Sequence, residues 1–154
     1  MLTVINSLFS TERMQNSFSG FNQKVPIWSL ITFRLAFGFM MFLSIVRFWQ
    51  KNWIEDFYIK PTFHFTYFGF EFVKPLGAQG MYFLFFVCAL AALGIFLGAF
   101  YRFSAALFFL TFTYIELIDK TTYLNHYYFV SLLAFLMIFL PAARNFSIDT
   151  YFNP

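Results

Sequence analysis

Long apolar stretches alternate with short polar breaks along this chain. Between Arg102 and Glu116, and again between Lys120 and Arg144, no Asp, Glu, Lys or Arg interrupts the sequence. A hydrocarbon core about 30 Å thick takes roughly 20 helical residues to cross. Four segments fit that requirement: 27–48, opened by Pro26 and bracketed by Trp28 and Trp49; 81–100, inside the uncharged run from Lys74 to Arg102; 103–118, slightly short, between Arg102 and the Asp119-Lys120 pair; and 125–141, which ends at Pro141. The tryptophans suit the two membrane interfaces. The pattern predicts an all-α integral membrane bundle with about four transmembrane helices.

Between the first two helices, residues 57–72 are about half aromatic, a composition suited to an interface where rings sit between lipid and water. Pro61, Gly69, Pro75, Gly77 and Gly80 interrupt any helical repeat there. We read this stretch as an aromatic-rich interfacial cap over the bundle. Ordinary interfacial packing is its commoner use. The polar run 119–128, Asp-Lys-Thr-Thr-Tyr-Leu-Asn-His-Tyr-Tyr, is the turn that such a cap would cover.

Composition agrees: 60% of residues are hydrophobic, 26% aromatic and 11% charged, far from a soluble domain. Residues 1–26 form a polar N-terminal segment without the apolar core of a signal peptide, residues 27–143 the membrane bundle, and residues 144–154 a C-terminal stub. The single Cys88 allows no internal disulfide and no cysteine-based metal site, so no metal is expected. Net charge is +3 without any Lys/Arg block, which excludes a nucleic-acid footprint. Basic residues fall on both sides of the predicted spans, so counting them does not orient the protein. The short turn at Arg102 and the basic N-terminal flank lean toward a cytoplasmic N-terminus, with the Lys120 turn and the cap outside.

Lys120 lies about 25 Å along the helix axis from Arg102 at roughly 1.5 Å per residue, hence at the opposite membrane face. The commoner role for such a lysine is an anchor that snorkels to the headgroups, paired with Glu116 one turn earlier. A role as base requires the neutral amine, which burial favours and neighbouring carboxylates oppose. Asn125 is expected to cap the fourth helix, which leaves His126 near the positive end of its dipole. Arg34, well inside the first helix, is by default functional or strongly paired. Its distance from Lys120 favours a clamp on helix ends or on a carboxylate. Gly94 and Gly98 form a G-x-x-x-G that permits close helix contact.

The stretch 81–149 resembles the membrane core of vitamin K-dependent gamma-glutamyl carboxylase and its bacterial relatives, the HTTM (horizontally transferred transmembrane) domain proteins. The matching elements are Leu93-Gly94 and Leu97-Gly98, Tyr101-Arg102-x-Ser104, Asp119-Lys120-Thr121, Asn125-His126-x-Tyr128, Leu132-Leu133-Ala134-Phe135 and Ser147-x-Asp149. Upstream, Arg34-Leu35 with Phe37-Gly38-x-Met40 is similar to the family's first helix, and the segment around His64 is similar to the bacterial branch.

The resemblance implies a lyase and epoxidase activity in which Lys120 deprotonates reduced vitamin K or a related quinol. Phenolic and lysine pKa values of about 10 and 10.4 make such a transfer nearly level. The oxygenated quinol would then supply the strong base for glutamate carboxylation. Asn125, His126, Tyr128 and His64 would line the substrate pocket, and Arg34, Asp119 and Arg102 would hold the structure. The implied partners are the lipid bilayer, a quinone, a glutamyl protein substrate and further helices of a longer protein; the implied location is the bacterial inner membrane. Because the family is longer, the chain reads as the N-terminal part of such a protein. Glu116 departs from the pattern, since an apolar residue is expected one turn before the lysine. Two alternatives stand beside this reading: a quinone-interacting subunit of the four-helix DoxX type, and a non-catalytic membrane module in which Lys120 is an anchor.

Overall fold

A computed structural model describes residues 28–122, 124–143 and 146–152. The polar N-terminal segment of the sequence reading lies outside them. Four main helices follow one another: α1 (Trp28–Gln50), α2 (Gly77–Leu97), α3 (Tyr101–Ile118) and α4 (Asn125–Phe139), with a short α5 (Ile148–Phe152) behind them. No strand occurs among the described residues. The first three helices are long and apolar enough to cross a membrane, at 23, 21 and 18 residues. The fourth, 15 residues long and equally apolar, spans about 22 Å at 1.5 Å per residue.

Each helix packs chiefly against the next in sequence, so α2 and α3 are the inner pair and α1 and α4 flank them. Small side chains permit that closeness, because without a hydrophobic drive between helices in lipid the gain comes from backbone approach. Cys88, Ala89, Ala91 and Ala92 on α2, Ala105 on α3 and Ala134 on α4 are all buried. The tightest approach of α1 to α2 is at Gly38, where a β-carbon would collide with the backbone of Phe96. Large residues on the outer faces, among them Met40, Phe83, Leu110 and Phe139, stay exposed, as a lipid-facing surface requires.

Two expectations from the sequence need correction. Gly98 is not an interhelical contact of α2 but the residue that ends it, with φ 66°. Its N–H reaches Ile95 O at 3.2 Å and the N–H of Ala99 reaches Gly94 O at 2.9 Å, a left-handed helix stop that glycine adopts without steric cost. Asn125 is not the cap of α4. Leu124 occupies that position in extended conformation, no side chain caps the helix, and Asn125 is its first helical residue.

The α1–α2 connection folds back over one end of the bundle. It opens with a π-helical turn, Glu55–Ile59, in which Tyr58 is buried, as is Ile54 just before it, and continues as irregular chain to Leu76. The Tyr114 hydroxyl donates to Lys74 O at 2.9 Å, tying this cap to α3. The opposite end carries the Gly98–Phe100 turn and the chain after α4.

Candidate functional site

Arg34 belongs to the end away from the cap. Its side chain is fully buried, and its guanidinium donates to Ala142 O at 3.2 Å and to Phe146 O, so a cation inside α1 holds the chain that leaves α4. Asp149 faces the α3 N-terminus instead: its two carboxylate oxygens accept the N–H groups of Phe100 (2.7 Å) and Tyr101 (2.9 Å). These amides have no partner within the helix, and an anion at a helix N-terminus satisfies both hydrogen bonding and dipole. The contact also holds Phe100 at φ 44°, a left-handed conformation uncommon outside glycine. Ser147 donates to Ala143 O at 2.6 Å, and the Tyr101 hydroxyl donates to Met137 O at 2.8 Å. The Ser-x-Asp and Tyr-Arg-x-Ser elements therefore meet as one fastening. Arg102 is exposed at its edge. Gly98 lies within it too, where a β-carbon would overlap Arg34 Nη1 and Ser147 Cβ.

The cap end is built around Asp119. Only 5% exposed, its Oδ1 accepts from the Thr121 N–H (2.9 Å), the Thr121 hydroxyl (2.8 Å) and, more distantly, the Phe65 N–H (3.4 Å). A carboxylate at a helix C-terminus opposes the dipole; these donors compensate it. The Lys120 N–H in turn donates to Phe65 O at 2.9 Å, so the turn and the cap are joined through one residue, Phe65, by one backbone bond and one bond to the Asp119 side chain. The Thr122 hydroxyl donates to Asp119 O at 2.9 Å and interacts with the Tyr58 phenol. Burial, reinforced by the charge of Glu116 and only partly offset by Thr122, raises the Tyr58 pKa well above the ordinary phenol value, so the phenol stays protonated at neutral pH.

Lys120 itself is exposed. Its ammonium sits 5.9 Å from the centre of the Phe65 ring, within cation–π range. It is not paired with Glu116: among the described residues the ion pair is Lys60–Asp56, on the surface of the cap. Asn125, His126 and Tyr128 are exposed along the first turn of α4, and the His126 ring contacts Tyr127 with centroids 4.5 Å apart. His64 lies instead in a cavity of about 790 Å³ formed within the cap, with Tyr58, Thr66, Glu71 and Lys74. Its Nε2 is buried without a hydrogen-bond partner. The structure thus joins Asp119 and Lys120 to the cap through Phe65, and leaves His64 in a compartment of its own.

Sequence reasoning missed a groove between α3 and α4. About 500 Å³ in volume, it is walled by Phe109, Leu117, Leu132 and Phe135 and bordered by Tyr67 of the cap. Thr113 and Glu116, one turn apart on α3, also line it. Thr113 Oγ1 is buried with no partner, and among the described residues no hydrogen bond or ion pair engages Glu116. The available signal was Glu116 itself, a carboxylate inside a predicted span, which is by default a functional residue.

Three membrane-length apolar helices, a fourth apolar helix and a polar turn under an aromatic cap define an integral membrane protein whose candidate chemistry lies at one membrane face. The sequence profile of the HTTM domain matches residues 22–154, and the chain belongs to the HTTM domain family. No solved structure matches it.

Proposed function

We propose that this protein is the quinol-handling core of a vitamin K-dependent carboxylase-like enzyme, with Lys120 as the base that accepts a proton from a hydroquinone hydroxyl. One observation carries the reading. The Asp119 carboxylate beside Lys120 is committed to Thr121 and the Phe65 amide, which leaves the lysine without an acidic partner among the described residues. A base needs that freedom, since a paired carboxylate would favour its protonated form.

Support for a quinol comes from the α3–α4 groove, which offers apolar walls for a ring and prenyl chain, and from the unpartnered Thr113 Oγ1 as a site for a ring oxygen; Lys120 is not among the groove's lining residues, so the quinol must reach it beyond the groove's edge. When bound, the hydroquinone supplies the reducing equivalents for reaction with dioxygen, coupled in this reading to carboxylation of a glutamyl protein. The chain's own contribution is to orient the ring, to exclude water with the cap and to hold the proton on Lys120 Nζ. Because the Phe65 ring now faces the ammonium, that ring must move for a hydroxyl to approach. In this reading the N-terminus is cytoplasmic, the Lys120 turn faces outward, and the membrane is the bacterial inner membrane.

A second reading, Lys120 as interfacial anchor in a quinone-interacting or non-catalytic module, is favoured by the exposure of the side chain. The two separate in one experiment. Lys120→Ala in the full protein should insert normally, lose quinol oxygenation by 10²-fold or more, about the contribution of a positioned base, and regain part of it with a small added amine. An alanine variant that oxygenates quinol at the wild-type rate removes the lysine from the chemistry.

A further inference from the structure

The groove between α3 and α4 places a carboxylate where the reading above gives it no task. Glu116 lies on the inner surface of a mostly apolar chamber, and it also lines a second, much smaller cavity of about 20 Å³ on the bundle side, next to Tyr58 and Tyr127. An acidic side chain in such surroundings is costly unless something satisfies it. Thr113, one turn earlier on the same helix face, adds a hydroxyl that is buried and has no partner. The wall residues Leu132 and Phe135 and the edge residue Tyr128 are exposed on the outer surface, so the groove opens sideways, toward the surface that lipid covers.

These features restrict the occupant. Its body must be apolar, to match Phe109, Leu117, Leu132 and Phe135, and it must enter from the bilayer. Its size must suit a chamber of about 500 Å³, within the range of small-molecule sites. It must bring a hydrogen-bond partner for a carboxyl group, and a donor suits it best because a carboxyl oxygen accepts in either protonation state. An acyl chain meets the first conditions and fails the last.

We propose that this groove binds a hydroxyl-bearing aromatic lipid whose O–H donates to the Glu116 carboxylate, and that Glu116 thereby selects the reduced over the oxidised form of a quinone. This rests on the quinol reading for its choice of ligand, but it assigns a residue which that reading does not use. A quinol offers two O–H donors; the corresponding quinone has only acceptors, and both its carbonyls would face a carboxylate unfavourably. Thr113 Oγ1, able to donate or accept, contributes to both forms equally.

The test uses the full chain in lipid nanodiscs and a naphthoquinone carrying one prenyl unit and a diazirine, presented either oxidised or chemically reduced. Binding to wild type should favour the reduced probe about tenfold or more, the range expected of a hydrogen bond to a charged group, and photolabelling should fall on α3 and α4 residues of the groove. Glu116→Gln keeps size and shape while adding a donor, so it should bring the preference close to unity with the label unmoved. Thr113→Val should weaken both forms by a similar factor. Equal binding of the two forms to wild type, an unchanged preference in Glu116→Gln, or labelling outside the groove overturns the assignment.

Lys120→Ala keeps the two ideas apart. Selective labelling of the groove in that variant supports the Glu116 site whatever becomes of oxygenation. Wild-type oxygenation of a quinol that never labels the groove sinks this site and leaves the Lys120 reading intact.

Discussion

At the Arg34 end, a guanidinium, a carboxylate and the hydroxyls of Ser147 and Tyr101 all bind backbone groups; at the Lys120 end, a lysine, a glutamate, a threonine hydroxyl and a histidine nitrogen have no such partner among the described residues. The first end closes three chain segments, the α2–α3 turn, the end of α4 and α5, into one unit. The second is covered by an irregular cap that touches the α3–α4 turn through Phe65. Unmatched polar groups in apolar surroundings are costly. Among the described residues the cap end leaves Thr113 Oγ1 and His64 Nε2 without partners, whereas Arg34 leaves only its Nε unpaired and engages backbone carbonyls through both terminal nitrogens; that difference marks the cap end as the place for a ligand and the Arg34 end as a fastening. Family membership alone does not distinguish the two ends, since the matched region includes both.

The strongest way to break this comparison is at Arg34. Arg34→Leu leaves the carbonyls of Ala142 and Phe146 without their donor; the Ala142 bond is buried, and stranding such an acceptor costs about 1–3 kcal/mol, whereas the part-buried Phe146 carbonyl adds little. The expected loss is therefore about 1–3 kcal/mol, read as a lower denaturation midpoint in detergent or nanodiscs. A variant as stable as wild type would mean that the fastening is decorative. Asp149→Ala should cost less, about 1–2 kcal/mol, as helix-cap removals do, and should expose the Phe100 and Tyr101 amides to faster hydrogen exchange. Asp119→Ala sharpens the contrast from the other side. The cap, residues 55–76, should exchange and proteolyse faster while global stability falls by about 1 kcal/mol or less, the scale of the hydrogen bonds lost; a collapse of the whole bundle would show that the two ends are not separable.

The smallest effect is at Glu71, exposed on the cap. Hydrogen bonds from its own amide and that of Gly69 hold its pKa below the ordinary carboxylate value. A depressed folded pKa means that the turn's extra stability is present above the unfolded value and is lost as pH falls through the folded one. Gly69 amide exchange should therefore be slow near neutrality and quicken under acid, once corrected for intrinsic rates, and Glu71→Gln should remove the pH step. A step running the other way would contradict the assignment.

Helix positions were legible because uncharged runs of membrane length leave little choice: α3 and α4 fall within a few residues of the expected 103–118 and 125–141. The cap was legible too, through Pro and Gly breaks among aromatic residues. What hydropathy does not encode is direction around a helix axis. Nothing in the uniform run 103–115 indicates that Thr113 and Glu116 share a groove with Ser131 and Phe135 of α4, because that depends on how α3 rotates against its neighbour. The same limit hid Gly38, whose role comes from the backbone of Phe96 on another helix. G-x-x-x-G spacing marks Gly98 as a packing residue because it is indifferent to whether the second glycine lies inside the helix or at its stop. His64 and Lys120, expected at one pocket, belong to different places because Phe65 is the cap residue that meets Lys120, while His64 lines a cavity with Thr62, Phe63 and Thr66.

The claim that one end holds the protein together and the other reacts is tested most directly by Lys120→Arg, measured for thermal midpoint and quinol oxygenation in the same preparation. Arginine keeps the charge, the reach to the headgroups and the contact over Phe65, but with a pKa above about 12 it cannot serve as a neutral base. The account predicts a midpoint indistinguishable from wild type and oxygenation reduced at least 10²-fold, the contribution expected of a positioned base. Oxygenation at the wild-type rate by the arginine variant would contradict it and leave Lys120 an anchor.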